Sequence, residues 1–169
     1  MRRPLCLLFI LTAPLAAQPS AYTIRQVNSM FGAPAEATIY RDGSKAAVEV
    51  KGVRTVYDLA TRTSYAIGAA SCKVSRFADD WGDPFVMSKE VTQNKVKDLG
   101  TDIVNGVHTE VFEVGIADGK AKAWVDPKSG LVMKAAMGRP ILEIKQATFA
   151  PPDPSVFALP PSCAGSSRP

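Results

Sequence analysis

The chain has 169 residues, 46% hydrophobic and 21% charged, the composition of one ordinary globular domain rather than of a disordered chain. Its formal net charge is +4, and no long run of like charges marks a surface for nucleic acid. The 13 prolines and 12 glycines favour turns between strands and exclude a long coiled coil, a collagen-like repeat or a solenoid.

The first seventeen residues read as an address. Arg2 and Arg3 precede the apolar run Leu5 to Leu15, and Leu15-Ala16-Ala17 offers small residues for cleavage. The run is too short to cross a bilayer of about 30 Å as a helix. A Sec-type leader cleaved near Ala17 is therefore expected, and with it a periplasmic or secreted protein with no transmembrane segment. Two arginines are common in such leaders, so they do not call for the twin-arginine route. Arg3-Pro4-Leu5 before Cys6 is a poor lipidation signal. Losing Arg2 and Arg3 lowers the net charge from +4 to +2.

The body, residues 18–160, reads as a string of hairpins. Asp42-Gly43, Asn105-Gly106 and Asp118-Gly119 are dipeptides that tolerate the positive φ of type I′ turns. Asp126-Pro127-Lys128-Ser129-Gly130 is a longer turn, and Lys51-Gly52 and Ala60-Thr61-Arg62 are weaker ones. Between them apolar and polar residues alternate. Ala46, Val48 and Val50 oppose Lys45 and Glu49, and Val53, Thr55, Tyr57 and Leu59 oppose Arg54 and Asp58. Thr63, Tyr65 and Ile67 continue the pattern. Later, Ala121, Ala123 and Val125 oppose Lys120, Lys122 and Asp126, and Leu131, Met133, Ala135 and Met137 oppose Lys134. Period two with one apolar side means half-buried antiparallel strands. Further strands are expected over 22–27, 36–41, 71–77, 95–99, 107–115 and 141–149.

One stretch breaks the alternation. Asp83-Pro84 is an N-cap followed by proline at the first helical position, and Phe85, Met87 and Val91 mark one side of a short helix through about Asn94. From Pro151 onward the chain is rich in proline and serine and reads as loop, with residues 161–169 as a tail. About ten hairpinned strands and one helix make a mainly β protein. A twisted antiparallel sheet of that size curls, so the expected architecture is a curved half-barrel with the helix over one side; a closed barrel or a sandwich are the alternatives.

Cys72 and Cys163 are the two cysteines left after the leader. An even count in an exported chain points to a disulfide, which would fasten the tail to the strand of Cys72.

Several segments carry a family resemblance. The run Ala37-Thr38-Ile39-Tyr40-Arg41-Asp42-Gly43-Ser44-Lys45, Val56-Tyr57-Asp58-Leu59 and Ser64-Tyr65-Ala66-Ile67 resemble the first meander of LolA/LolB-like lipoprotein carriers. Leu99-Gly100, Val104-Asn105-Gly106-Val107, the run Ala123 to Leu131, and Phe157-Ala158-Leu159-Pro160 are similar to uncharacterised exported members of that superfamily. The resemblance implies a curved sheet with a helical lid over an apolar concave side that binds acyl chains or other apolar partners. The chain has less helix than such carriers and carries no ligand-contact residue that transfers by motif.

Catalytic and metal signatures are missing. His108 stands alone on a strand, which suits a surface residue better than a ligand. Asp79, Asp80 and Asp83 surround Trp81-Gly82 and read as complements to a helix N-terminus. Glu110 and Glu113 are three apart on a strand and so face opposite ways, unlike a catalytic carboxylate pair. Trp124 reads as a packing residue that shields the outer face or lies under the tail, with a place in a ligand groove as the alternative. The expected protein is not an enzyme and needs no cofactor. Tyr57, Tyr65, Ile67, Phe85, Met87, Val91, Met133 and Met137 are the candidate ligand-binding set, for an acyl chain, a lipid or a lipid-anchored protein. The alternative is an accessory domain of an envelope complex that binds another protein through an edge strand or the tail.

Overall fold

The computed structural model describes residues 18–30, 32–69, 71–78, 81–117 and 119–163. The leader with Cys6, Asp79 and Asp80, Asp118 of the third turn, and residues 164–169 lie outside the described residues.

Eleven strands form one antiparallel sheet that does not close into a barrel. In chain order they are β1 (Ala21–Asn28), β2 (Ala35–Asp42), β3 (Lys45–Val50), β4 (Val53–Asp58), β5 (Thr63–Ile67) and β6 (Cys72–Arg76), then helix α1 (Pro84–Gln93), then β7 (Lys95–Val104), β8 (Val107–Ile116), β9 (Gly119–Val125), β10 (Val132–Met137) and β11 (Arg139–Thr148). Their order across the sheet is β6-β5-β4-β3-β2-β1-β11-β10-β9-β8-β7. Two meanders thus meet where β1 pairs with β11, and β6 and β7 are the two edges.

This topology explains why the sheet curls. The link from β6 to β7 must travel from one edge to the other. Eleven strands laid flat would span about 48 Å. The helix contributes about 15 Å of length. The ten remaining steps, at about 3.4 Å each when fully extended, bring the reach to about 49 Å. A flat sheet would leave the link taut and straight. A curved sheet shortens the crossing and lets the helix pack against one face, which is the half-barrel expected from the sequence.

The register assigns each side chain to a face. Arg41 pairs with Ala46, Ala46 with Tyr57 and Tyr57 with Ser64, so these share the helix side with Tyr22, Ile24, Ile39 and Val48. Tyr40, Ala47, Val56 and Tyr65 form the neighbouring row and face the other way. Both rows are apolar, because both faces of the first meander are covered. Trp81 and Phe85 cover one side. Phe157 and Val156 cover the other, packing on Ala47, Val56, Tyr40, Tyr65 and Ile67.

The region expected to be plain loop is therefore a second layer. After β11 the chain turns through two 3₁₀ turns, Pro154–Phe157 and Pro161–Cys163, and Phe157 is buried. Asp153 caps the first turn by accepting the Ser155 amide at 2.8 Å. The described part of the tail closes on a disulfide between Cys163 and Cys72, residues 91 apart.

Local details follow the turn chemistry. Asn105 and Gly106 have φ of 50° and 80°, the paired positive angles of a type I′ hairpin. Lys51 and Gly52 adopt the same geometry, at 49° and 78°. Two expectations need correction. Strand β7 runs to Val104 rather than ending at Leu99. It is an exposed edge strand with bulges, so no buried side supplies an alternation to read. Leu131, Met133, Ala135 and Met137 do not form one row. A register shift between Val132 and Lys134 puts Leu131 and Met133 in the central cluster, and Val132 and Ala135 in the cluster beneath Val91.

Reducing the Cys72–Cys163 bond removes a constraint on the unfolded chain worth about 4–5 kcal/mol for a loop of this length. Urea unfolding with and without a dithiol reductant is expected to show a loss of that order, and Cys163→Ser is expected to reproduce it in non-reducing buffer.

Candidate binding face

The helix side of the sheet is organised by one carboxylate. Asp83 is the N-cap of α1, and its Oδ1 accepts the Phe85 amide at 2.9 Å. The same oxygen accepts the Tyr22 hydroxyl of β1 at 2.9 Å. Its Oδ2 accepts Arg41 Nη1 of β2 at 2.6 Å and Gln18 Nε2 at 3.1 Å. Asp83 is buried, so these donors replace the water it has lost. Burial, then the adjacent carboxylate, pushes the Tyr22 phenol far above its ordinary pKa, which keeps it a donor to Asp83.

A second polar tie holds the middle of the helix. The Ser88 hydroxyl accepts the Val132 amide of β10 at 3.0 Å. The apolar positions then pack. Phe85 lies 5.4 Å from the Tyr22 ring and 6.4 Å from the Phe149 ring. Val91 sits among Phe112, Val114, Ala123 and Ala135.

A ten-residue helix cannot cover eleven strands, and a cleft remains on each side of it. On the second meander, a cleft of about 170 Å3 is lined chiefly by Met30, Met87, Val91, Val114, Ala135 and Met137. Met137 stands 44% exposed in its wall. On the first meander, a wider cleft of about 350 Å3 runs past Ile39, Val48, Tyr57 and Trp81, with Gln26 and Asn28 at its polar end.

These positions divide the ligand-binding set read from the sequence. Met87, Val91 and Met137 meet in the first cleft, and Tyr57 lies in the second beside Trp81 and Phe77, at ring distances of 5.8 and 5.3 Å. Phe85 and Met133 are buried in the central core. Tyr65 and Ile67 lie on the opposite face under Phe157 and line neither cleft. Their period-two pattern matched that of Tyr57, but the register offsets them by one residue. Met30 and Trp81 were not singled out as site residues. Met30 lies in the β1–β2 connection, where no periodicity points to it; Trp81 stands two residues before the cap, the one local hint of a lid residue.

The other candidates stay outside these two clefts, though Trp124 lines a third of about 400 Å3 on the far face, walled by Glu113, Lys120, Lys122 and Lys134. His108 is exposed on β8, and among the described residues no three His, Cys, Asp or Glu side chains gather as a metal site. Trp124 faces the far side of the sheet, away from the tail. There its Nε1 donates to Asp102 Oδ2 at 2.9 Å, and Lys134 Nζ lies 4.8 Å from its ring. That hydrogen bond, and then the Ile103 amide, holds the Asp102 carboxyl below its usual range.

What the fold defines is a half-barrel with a helical strap, an open cleft on each side of the strap and a third on the far face. No family model matches the sequence, and no curated protein matches it by sequence. Among solved structures, the Pseudomonas aeruginosa MucA/MucB complex contains a chain that superposes with a TM-score of 0.59 at 14% identity, covering 84% of this chain and 56% of that one. A crystal structure of MucB in complex with MucA(peri) gives 0.53 at 18% identity, covering 84% and 55%. This chain spans little more than half the length of those it matches. The likeness is one of fold, and among the described residues no helix is long and apolar enough to cross a membrane.

Asp83→Ala removes the cap, leaves the Tyr22 hydroxyl without its acceptor and leaves Arg41 only the Gly43 carbonyl, a loss of about 3 kcal/mol. Arg41→Ala takes the cation from a buried carboxylate but leaves the other three donors in place, and is expected to cost about 2 kcal/mol. Urea midpoints of the two variants check this order.

Proposed function

We propose that this chain is an exported protein-binding module without catalytic activity, which holds an apolar segment of a cell-envelope protein in the cleft beside α1. The carrying observation is the cleft itself: Met87, Val91 and Met137 place flexible apolar groups beneath a strap, with Met30 at the rim. Methionine adapts to varied apolar side chains, which suits a peptide partner. The likeness to MucB, whose structures include a complex with MucA, supports a protein partner. The cleft of about 170 Å3 also falls below the range of about 300–1,000 Å3 usual for small-molecule sites. The leader expected at residues 1–17 and the Cys72–Cys163 bond fit a periplasmic or secreted location.

A second reading takes the cargo as an acyl chain, a lipid or a lipidated protein, in line with membership of the LolA/LolB-like carriers. It is favoured by the mainly apolar lining of the same cleft, which only Glu90, Asn94 and Lys122 interrupt. Native mass spectrometry of protein purified from the periplasm, paired with crosslinking from a photoreactive residue at Met137, separates the two. The expected result is a bare mature chain, two hydrogens lighter for the disulfide, and one discrete crosslinked envelope protein that is lost in Met87→Lys. An added lipid mass, released on denaturation, would replace this reading with the carrier.

A further inference from the structure

We propose that the β7 edge is a self-complementary surface through which two copies of this chain pair antiparallel, joining their sheets across a two-fold axis between Leu99 and Gly100. An open sheet has two edges, and here they differ. Strand β6 has five residues and is held at Cys72 by the disulfide to the tail. Strand β7 has ten residues, nearly all exposed, and pairs only with β8. Three of the exposed large apolar side chains lie on it: Val96, Leu99 and Ile103, the first and last more than half exposed at 57% and 58%. Charges and bulges keep such an edge from pairing indiscriminately, and β7 carries both, so what can add to it is restricted to a strand whose charges answer Lys97 and Asp102.

The occupant is argued from the charge order. Lys97 lies towards one end and Asp102 towards the other, so an antiparallel copy sets each lysine against the other chain's aspartate. Cross-strand partners must lie on one face of a sheet. Lys97 is in register with Glu113, and Asp102 with Thr109, and Thr109 and Glu113 are an even number of residues apart on β8, so both groups face the same side. Asp98 and Thr101 are in register with Phe112 and Glu110 and share the other side. The pairs Lys97–Asp102 and Asp98–Thr101 therefore form in a single register. Shifting that register by one residue would set Lys97 against Thr101 or Ile103, from opposite faces. Val96 and Ile103 flank the pairs at matching distances. The bulge between Asp98 and Thr101 falls on the axis itself, where it interrupts the ladder without breaking either arm.

Symmetry supplies the test. Lys97→Asp alone sets acid against acid at both arms, and Asp102→Lys alone sets base against base. An equimolar mixture restores an opposite pair at both arms of the heterodimer. Sedimentation equilibrium of the full mature chain is expected to give a dimer for wild type. Each single variant should weaken it by about tenfold or more, and the mixture should recover it. Circular dichroism of each variant checks that its sheet is intact. Val96→Lys, which leaves both charges and the Trp124–Asp102 bond in place, is expected to weaken the dimer as well. A wild type that stays monomeric to about 1 mM overturns the proposal. So does a dimer that all three substitutions leave unchanged, or a mixture no tighter than its components.

Discussion

A chain that leaves one edge of an eleven-stranded sheet and re-enters at the other has to be held down somewhere in between, and in this protein the hold is the Asp83 carboxylate. It takes one donor from the helix it caps, one from β1, one from β2 and one from the segment before β1. Those strands lie next to the seam where the two meanders meet, so the helix is fastened over the centre of the sheet. A buried carboxylate without such partners would pay a desolvation penalty of several kcal/mol. The need to satisfy it fixes the angle and position of the strap more sharply than apolar packing alone would, because packing tolerates sliding and hydrogen bonds do not.

Everything that looks like a site follows from where the strap is held. Centred and only ten residues long, it leaves apolar sheet uncovered on both flanks. The opposite face is handled differently. There the tail lays Phe157 over Ala47 and Val56 and is locked at its end by Cys163. One face of the first meander is thus closed, while the helix face stays open at two places. The far face opens only at Trp124, between charged Glu113, Lys120, Lys122 and Lys134, so for an apolar partner the helix face is the place to look.

Much of this was legible in the residues. Alternation located most of the strands, the Asp-Gly and Asn-Gly pairs located hairpins, and Asp83-Pro84 located the helix start. The two cysteines named their own bond. What the sequence could not convey was which apolar row faces which side. Tyr57 and Tyr65 both sit in alternating runs, and only the β4–β5 register separates them. Bulges in β10 broke a run that looked uniform, and an exposed edge gave β7 no buried side from which to infer its length. The tail was hidden for another reason. Its burial depends on a single aromatic residue, Phe157, in a stretch whose prolines speak only of turns.

The seam between β1 and β11 bears on how the protein is made. Within each meander, strands pair with their sequence neighbours, so contacts are local and hairpins form quickly. The seam joins Thr23 to Thr148, nearly the whole length of the chain. While the chain folds, the first meander carries β1 as an unpaired border until the last strand arrives. Closing that long loop is entropically the slowest pairing in the sheet. Until it happens, each nascent molecule carries an extra open border of Tyr22 and Ile24, residues that the finished fold buries completely. The border open to wrong pairing during folding thus includes a strand that offers no hazard once the sheet is complete.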